Sequence, residues 1–448
     1  MVQVIGSVSA YKSEGLGMRK TSLTILVFVF FFVIIIFMPT LSWAETPFQR
    51  MDSDGDGRLS QQEFRGPLPA FRRMDRNADG YISPQEAGGT PLTGGKRRSG
   101  GDGMKDRLQQ PIIKQSAGTP AELIYVDTHN HLVGRTSGGL TRQFDYESPA
   151  QTALETMDKT GVKISLVMPM PQGVKQKNNL YLDDILPVVK RFPGRFAVLG
   201  GGGSLNVMIQ KTVESGRVTD AIKKKFDATA AELFKKGVVG FGEMTAEHFS
   251  MRSDHPYVSA PPDHPLFLRL ADLAAKYDIP IDIHMEAIPE EIELPLRLQS
   301  PPNPPILKPN IESFERLLDH NKNARIIWVH LGWDSTGKRT VDLTRKLLLK
   351  HSNLYMSIRV AGGMQARNVV RSTFPLDTEG HIKKEWLLLF QEFPDRFLIG
   401  SDEIILKDNR HPSAGSIQST VGLLQQLPEE LQRKIGYENA HRLYKLEQ

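Results

Sequence analysis

The sequence predicts a (β/α)8 barrel over residues 121–448, preceded by a small all-α module at 45–88. Three observations carry that expectation. Eight short apolar runs, starting near Ile124, Val162, Phe196, Val238, Ile279, Ile326, Leu354 and Phe397, alternate with stretches whose apolar residues recur three and four apart. Several of these runs end on an acid or a histidine, as in Gly240-Phe241-Gly242-Glu243, Ile281-Asp282-Ile283-His284, Ile327-Trp328-Val329-His330 and Leu398-Ile399-Gly400-Ser401-Asp402. No run is followed by the spaced glycine loop that a dinucleotide-binding open sheet needs, and the four glycines at 200–203 read as a flexible loop.

From the N-terminus, Met18-Arg19-Lys20 precedes an apolar run at 23–38, then Pro39 and Ser42-Trp43-Ala44. A basic start, an apolar core and small residues before a cut describe a secretory signal peptide, so 1–44 is expected to be removed and the remainder exported to a periplasmic or extracellular space. The alternative is an uncleaved anchor, since the run approaches the roughly 20 residues that span a bilayer. That segment is the only expected route to a membrane. The formal net charge of +5 is small for 448 residues, and no basic stripe interleaved with aromatics marks a nucleic-acid surface. The absence of cysteine excludes disulfides, thiolate metal sites and thiol catalysis, so any metal must be held by His, Asp or Glu.

The next element is a repeated acidic loop. Asp52, Asp54, Asp56, Arg58 (through its carbonyl), Ser60 and Glu63 fall at the oxygen-ligand positions of a twelve-residue calcium loop, with Gly57 at its sharp turn. Asp75, Asn77, Asp79, Tyr81 (through its carbonyl), Ser83 and Glu86 repeat the plan around Gly80, with Leu59 and Ile82 at the apolar position where paired loops touch. Residues 46–88 resemble a tandem EF-hand. Gly66-Pro67 and Gly88-Gly89 cut its exit helices short, which suits structural or modest-affinity calcium binding rather than a sensor that opens a groove. A Gly-, Pro-, Ser- and Lys/Arg-rich stretch at 89–120 without apolar periodicity is expected to be a solvated flexible linker.

In the barrel, helices are expected at 149–160, 183–192, 220–236, 264–277, 311–321, 340–350 and 383–393. The first run ends in Asp127-Thr128-His129-Asn130-His131; side chains two apart on a strand share a side, so His129 and His131 project together as a pair of metal ligands. Strand ends of a barrel share one face, where loops assemble a site. His284, His330, Glu243 and Asp402 are therefore candidates to join that pair.

With these residues placed, 121–446 resembles the amidohydrolase superfamily, most nearly the amidohydrolase-2 branch of hydrolases and decarboxylases. His129-x-His131, His284, His330 and Asp402 carry the resemblance, and Asn439-Ala440-His441-Arg442-Leu443-Tyr444 is similar to that family's closing helix. The resemblance implies that His129, His131, His284 and Asp402 bind one divalent metal, zinc first, with manganese or iron as alternatives, and that Asp402 also serves as a base. It places His330 beside the metal to polarise a substrate carbonyl or orient water. Glu243 is expected either to bridge a second metal or to support a ligand histidine from behind. Arg135 and Arg359 are candidates to grip a substrate carboxylate, the alternative for each being a surface salt bridge.

The proline-rich segment 286–310 is long for a strand–helix loop and is expected to act as a lid. Among the other histidines, His248 and His255 lie in the one loop that could reach the site. The expected activity is hydrolysis of a C–O or C–N bond in a small carbonyl substrate such as a lactone, ester or amide. Non-oxidative decarboxylation is the second reading, and an inactive calcium-binding surface protein the third. The sequence leaves open whether copies assemble into a homo-oligomer.

Overall fold

The alternation of strand and helix patterns resolves into two units, Met1–Lys114 and Gln115–Gln448, each with its own core. The computed structural model describes scattered residues between 48 and 87, and residues 123–446 apart from 135–144, 175–181, 252–255, 300–302, 363–369, 409–410 and 412. The expected leader at 1–44, the expected linker at 89–120, Arg135, His255 and the loop residues Asp54, Asp56, Asp75, Asn77, Asp79 and Glu86 lie outside the described residues.

In the first unit, β1 (Leu59–Ser60) pairs antiparallel with β2 (Tyr81–Ile82), and Leu59 stands opposite Ile82, where the two loops were expected to touch. Both side chains are fully buried with Phe71, against Phe48, Met51, Phe64, Met74 and Ala87. A two-residue ladder at this point fixes the loops to each other.

The second unit contains β3 (Tyr125–Leu132), β4 (Val162–Val167), β5 (Phe196–Gly201), β6 (Gly240–His248), β7 (Val258–Ser259), β8 (Ile281–Met285), β9 (Ile292–Glu293), β10 (Ile306–Leu307), β11 (Ile326–Leu331), β12 (Leu354–Ile358), β13 (Phe397–Ile399) and β14 (Glu403–Ile405). Strands β3, β4, β5, β6, β8, β11, β12 and β13 pair in parallel in that order, and β13 returns to β3 at Ile399 opposite Asp127. The result is the closed eight-stranded parallel barrel with helices between its strands.

Helix starts follow local chemistry. The hydroxyls of Thr219 and Thr340 accept from Ile222 N and Leu343 N at the heads of Asp220–Lys235 and Val341–Lys350, and His264 with Pro265 starts Pro265–Tyr277. Val126, Ile164, Leu166, Leu199, Ile327, Val329 and Leu398 form a separate inner cluster on the strands, joined by Ala440, Leu443 and Tyr444 of the last helix, Asn439–Tyr444.

Four sequence expectations change. The glycines at 200 and 201 belong to β5, and the next residues lead into an additional helix, Leu205–Ser215. Strand β6 does not stop at Glu243 but runs on to His248. The eighth strand is interrupted at 400–402 and resumes as β14, still parallel to β3. The segment 286–310, expected as one long strand–helix loop, contains secondary structure of its own: β9 and β10 pair, and Leu294, Leu298 and Leu307 bury against Phe249 and Ile288. Asn303 ties it down, accepting from Ser250 N and donating to Ser250 O and Leu298 O, each at 2.8 Å.

Candidate metal centre

Glu243 stands at the middle of the constellation. Its Oε2 lies 3.5 Å from His129 Nε2 and 3.4 Å from His131 Nε2, while Oε1 lies 2.7 Å from His284 Nδ1 and 3.2 Å from His330 Nε2. Asp402 closes the first side, its Oδ1 being 3.3 Å from His131 Nε2 and 4.0 Å from His129 Nε2. Two sets, His129–His131–Asp402 and His129–Glu243–His330, each bring their donor atoms within 4.8 Å of one another. His284 belongs to neither set; it flanks Glu243 on the His330 side.

The register that produces this is built into β3 and the break in the eighth strand. Asp127 accepts from Ser401 N at 2.9 Å and from Ser401 Oγ, Asn130 Oδ1 accepts from Ser401 Oγ and Glu403 N, and Asp402 N donates to His129 O at 2.8 Å. Gly400 has no Cβ for a close-contact reason: one would sit 3.0 Å from His129 Cβ and 3.1 Å from Ser357 Oγ. His330 (φ +65°) and Asp402 (φ +53°) adopt left-handed backbone, a conformation that costs a non-glycine residue about 1–2 kcal/mol and persists where the surroundings hold it.

The electrostatics call for a cation. Burial opposes a charge on His129, but Glu243, Asp282 and Asp402 outweigh it and push the imidazole up to about 10. His131 is raised by Asp402 and Glu243 against the same opposition. Glu243 is held well below the usual carboxylate range by His129, His131 and His284 despite burial, and Asp402 is lowered, against its burial, first by Arg359. His330 differs: burial holds it neutral, down to about 3.

The donor set also fits a metal. Both ring nitrogens of His129 and Nδ1 of His330 are buried without a hydrogen-bond partner among the described residues, a condition that costs about 1–3 kcal/mol per group unless something else satisfies it. Nitrogen and carboxylate oxygen without sulfur suit zinc, manganese or iron.

Arg359 is not the surface salt bridge weighed as its alternative. It is 4% exposed, binds Asp402 Oδ2 at 2.6 Å and stacks on the Trp333 ring at 4.4 Å. His248 does reach the site, its ring 4.6 Å from that of His284.

Sequence reasoning passed over three buried acids. Asp282 Oδ2 lies 3.5 Å from His129 Nδ1. Glu286 lies 4.0 Å from His284 Nε2 and accepts from Ser335 N. Glu247 accepts from Tyr257 and Ser259, and burial pushes it up to about 7. The spacing of Asp282, His284 and Glu286, and of Glu243 and Glu247, was the available signal: even offsets on a strand share a face.

In the first unit, Asp52 Oδ2 accepts from Gly57 N at 3.0 Å, whereas Oδ1 is buried with no hydrogen-bond partner among the described residues. Glu63 accepts from Ser53 N and Oγ and from Ser60 N; these bonds outweigh desolvation and hold it at about 2. An oxygen-only set with an orphaned carboxylate oxygen fits calcium.

An amidohydrolase family model matches residues 210–446, more than half of the chain, and an EF-hand model matches 47–66 and 69–86. The chain belongs to the amidohydrolase family, whose members are metal-dependent hydrolases or decarboxylases. Its N-terminal unit carries the EF-hand pair.

The fold is similar to that of a probable 2-pyrone-4,6-dicarboxylic acid hydrolase from Acinetobacter baumannii, with 13% identity over 72% of this chain and 99% of that one, at a TM-score of 0.43. A dihydroxybenzoic acid decarboxylase from a Polaromonas species, with bound manganese, shares 14% identity over 72% and 97% at a TM-score of 0.40. An amidohydrolase from Burkholderia multivorans, with bound zinc, shares 12% over 72% and 100% at 0.36. No curated protein matches the sequence.

Proposed function

We propose that the barrel is an exported metal-dependent hydrolase acting on a C–O or C–N bond of a small carbonyl substrate. The observation that carries this is Glu243, with one carboxylate oxygen facing His129 and His131 and the other facing His284 and His330. In this reading His129, His131 and Asp402 with Glu243 would hold one divalent cation, and His284 and His330 with Glu243 would hold a second. When bound, a divalent ion of the zinc, manganese or iron kind lowers the pKa of a coordinated water to about 7 and polarises a carbonyl.

The protein's own groups supply the rest. Asp402 Oδ1, beside His131, is the proton acceptor, while Oδ2 stays occupied by Arg359. His330, held neutral by burial, keeps a ring nitrogen lone pair available to act as a ligand. Commitment of Arg359 to Asp402 favours hydrolysis over decarboxylation, because the guanidinium that would hold a substrate acid already holds an enzyme carboxylate. Export rests on the leader-like segment at 1–44, and calcium at the EF-hand pair serves the folding of that unit.

The test is a panel of lactones, esters and amides against aromatic acids, with metal content measured in parallel. Release of carbon dioxide from the acids without ester, lactone or amide cleavage overturns the hydrolase reading. Glu243→Gln is expected to lower the transition-metal stoichiometry from two per chain towards one, with a parallel loss of kcat. A wild-type chain that saturates at one ion contradicts it.

A further inference from the structure

We propose that Tyr444, on the last helix, is a positioning residue for the metal centre, acting through Asp282 on His129. The inference rests on the reading of His129 as a metal ligand. Tyr444 is 1% exposed, and its hydroxyl donates to Asp282 Oδ1 at 2.7 Å across 162 residues of sequence. Asp282 is fully buried, and its other oxygen, Oδ2, faces His129 Nδ1 at 3.5 Å. Neither Oδ2 nor Nδ1 has a hydrogen-bond partner among the described residues. A cation on His129 Nε2 leaves the ring proton on Nδ1, and a ligand imidazole with its proton aimed at a carboxylate is fixed in tautomer and rotation.

The hydroxyl of Tyr444 is what needs explaining. Its ring packs in the inner apolar cluster with Val126, Leu199, Leu398 and Leu443, and a Cβ on Gly240 would lie 3.3 Å from the ring. Phenylalanine would fill that space equally well. A buried hydroxyl in an apolar cluster is unfavourable unless bonded, and here its partner is an acid whose other oxygen faces His129. Gly242 lets the backbone of the neighbouring strand come close to Asp282, since a Cβ there would stand 3.0 Å from Asp282 Cβ. The line from Tyr444 to Asp282 to His129 therefore joins the closing helix to the fifth and first strands of the barrel.

The test uses the full-length chain, stripped of metal and reloaded with zinc or cobalt(II), as wild type, Tyr444→Phe, Asp282→Asn and the double variant. Tyr444→Phe is expected to weaken zinc affinity about tenfold and to shift the visible cobalt spectrum, while the thermal midpoint of the metal-free protein stays near wild type. Asp282→Asn is expected to weaken affinity at least as much, and the double variant no further, because both changes cut one line. Tyr444→Phe with wild-type affinity and spectrum overturns the proposal, and so does a double variant whose loss is the product of the two singles. Should Tyr444→Phe not fold, Asp282→Asn decides by the same readouts, weakened affinity supporting the line and wild-type affinity overturning it. A wild-type chain that takes up neither zinc nor cobalt removes the metal reading itself, and the line with it.

Discussion

At the scale of the residue, the charge on Asp402 is controlled from two sides. Its Oδ2 is bound by Arg359, whose guanidinium is buried and stacked on Trp333, and its Oδ1 faces His131. Removing one partner of a buried ion pair leaves the other charge uncompensated, a loss of about 3–5 kcal/mol. Arg359→Met is therefore expected to lower the thermal midpoint of the metal-free protein sharply. The loss should be smaller once metal is bound, because the ion supplies the missing positive charge. Scanning calorimetry of both forms checks this, and an equal loss in both would mean that Arg359 acts by packing on Trp333 rather than by its charge on Asp402.

At the scale of the element, periodicity made most of the barrel readable: apolar runs gave the starts of the eight barrel strands within about two residues, and amphipathic stretches gave most of the helices. The histidine pair and the strand-end His284, His330 and Asp402 were readable for the same reason, since a polar residue closing an apolar run stands out. Glu243 was readable as a candidate but not as an interior position of β6, because a charge in an apolar run looks like the end of a strand. Within the upper lumen, polar side chains continue the strand, as Thr245 and Glu247 do. Asp282 carried the right spacing from His284, but its partner Tyr444 is 162 residues away, and no local pattern links them.

The internal order of the segment 286–310 was not legible, because its prolines suggest a loop, whereas that order comes from Asn303 and a few buried leucines. Asn303→Ala removes three hydrogen bonds, together about 1.5–4.5 kcal/mol. The expected result is faster amide exchange over 292–307 with unchanged exchange in β3 and β11; unchanged exchange over 292–307 would show that the leucine cluster alone holds the excursion.

At the scale of the whole molecule, two sources of stability should separate by condition. In the barrel, burial holds Glu247 and Glu403 up at about 7. Between the ordinary glutamate value near 4.5 and about 7, the folded state keeps protons that the unfolded chain has lost, so stability falls as pH rises through that window. Each acid contributes a loss on the order of 3 kcal/mol across it. Glu247→Gln is expected to flatten the slope of stability against pH there, and denaturant midpoints taken from pH 4.5 to 7.5 measure it; an unchanged slope would mean that the Glu247 site opens to solvent.

The first unit depends on something else. Among the described residues its core is Leu59, Phe71 and Ile82 with partly buried neighbours, and a short EF-hand unit ordinarily gains its fold from the bound ion. Chelation of calcium alone, with the barrel metal retained, is expected to abolish the thermal transition of the first unit and leave the barrel transition and turnover in place, because the barrel holds its own core and its ligands all come from residues beyond 125. Loss of turnover on calcium removal, with transition metal still bound, would instead make the EF-hand pair part of the catalytic machinery.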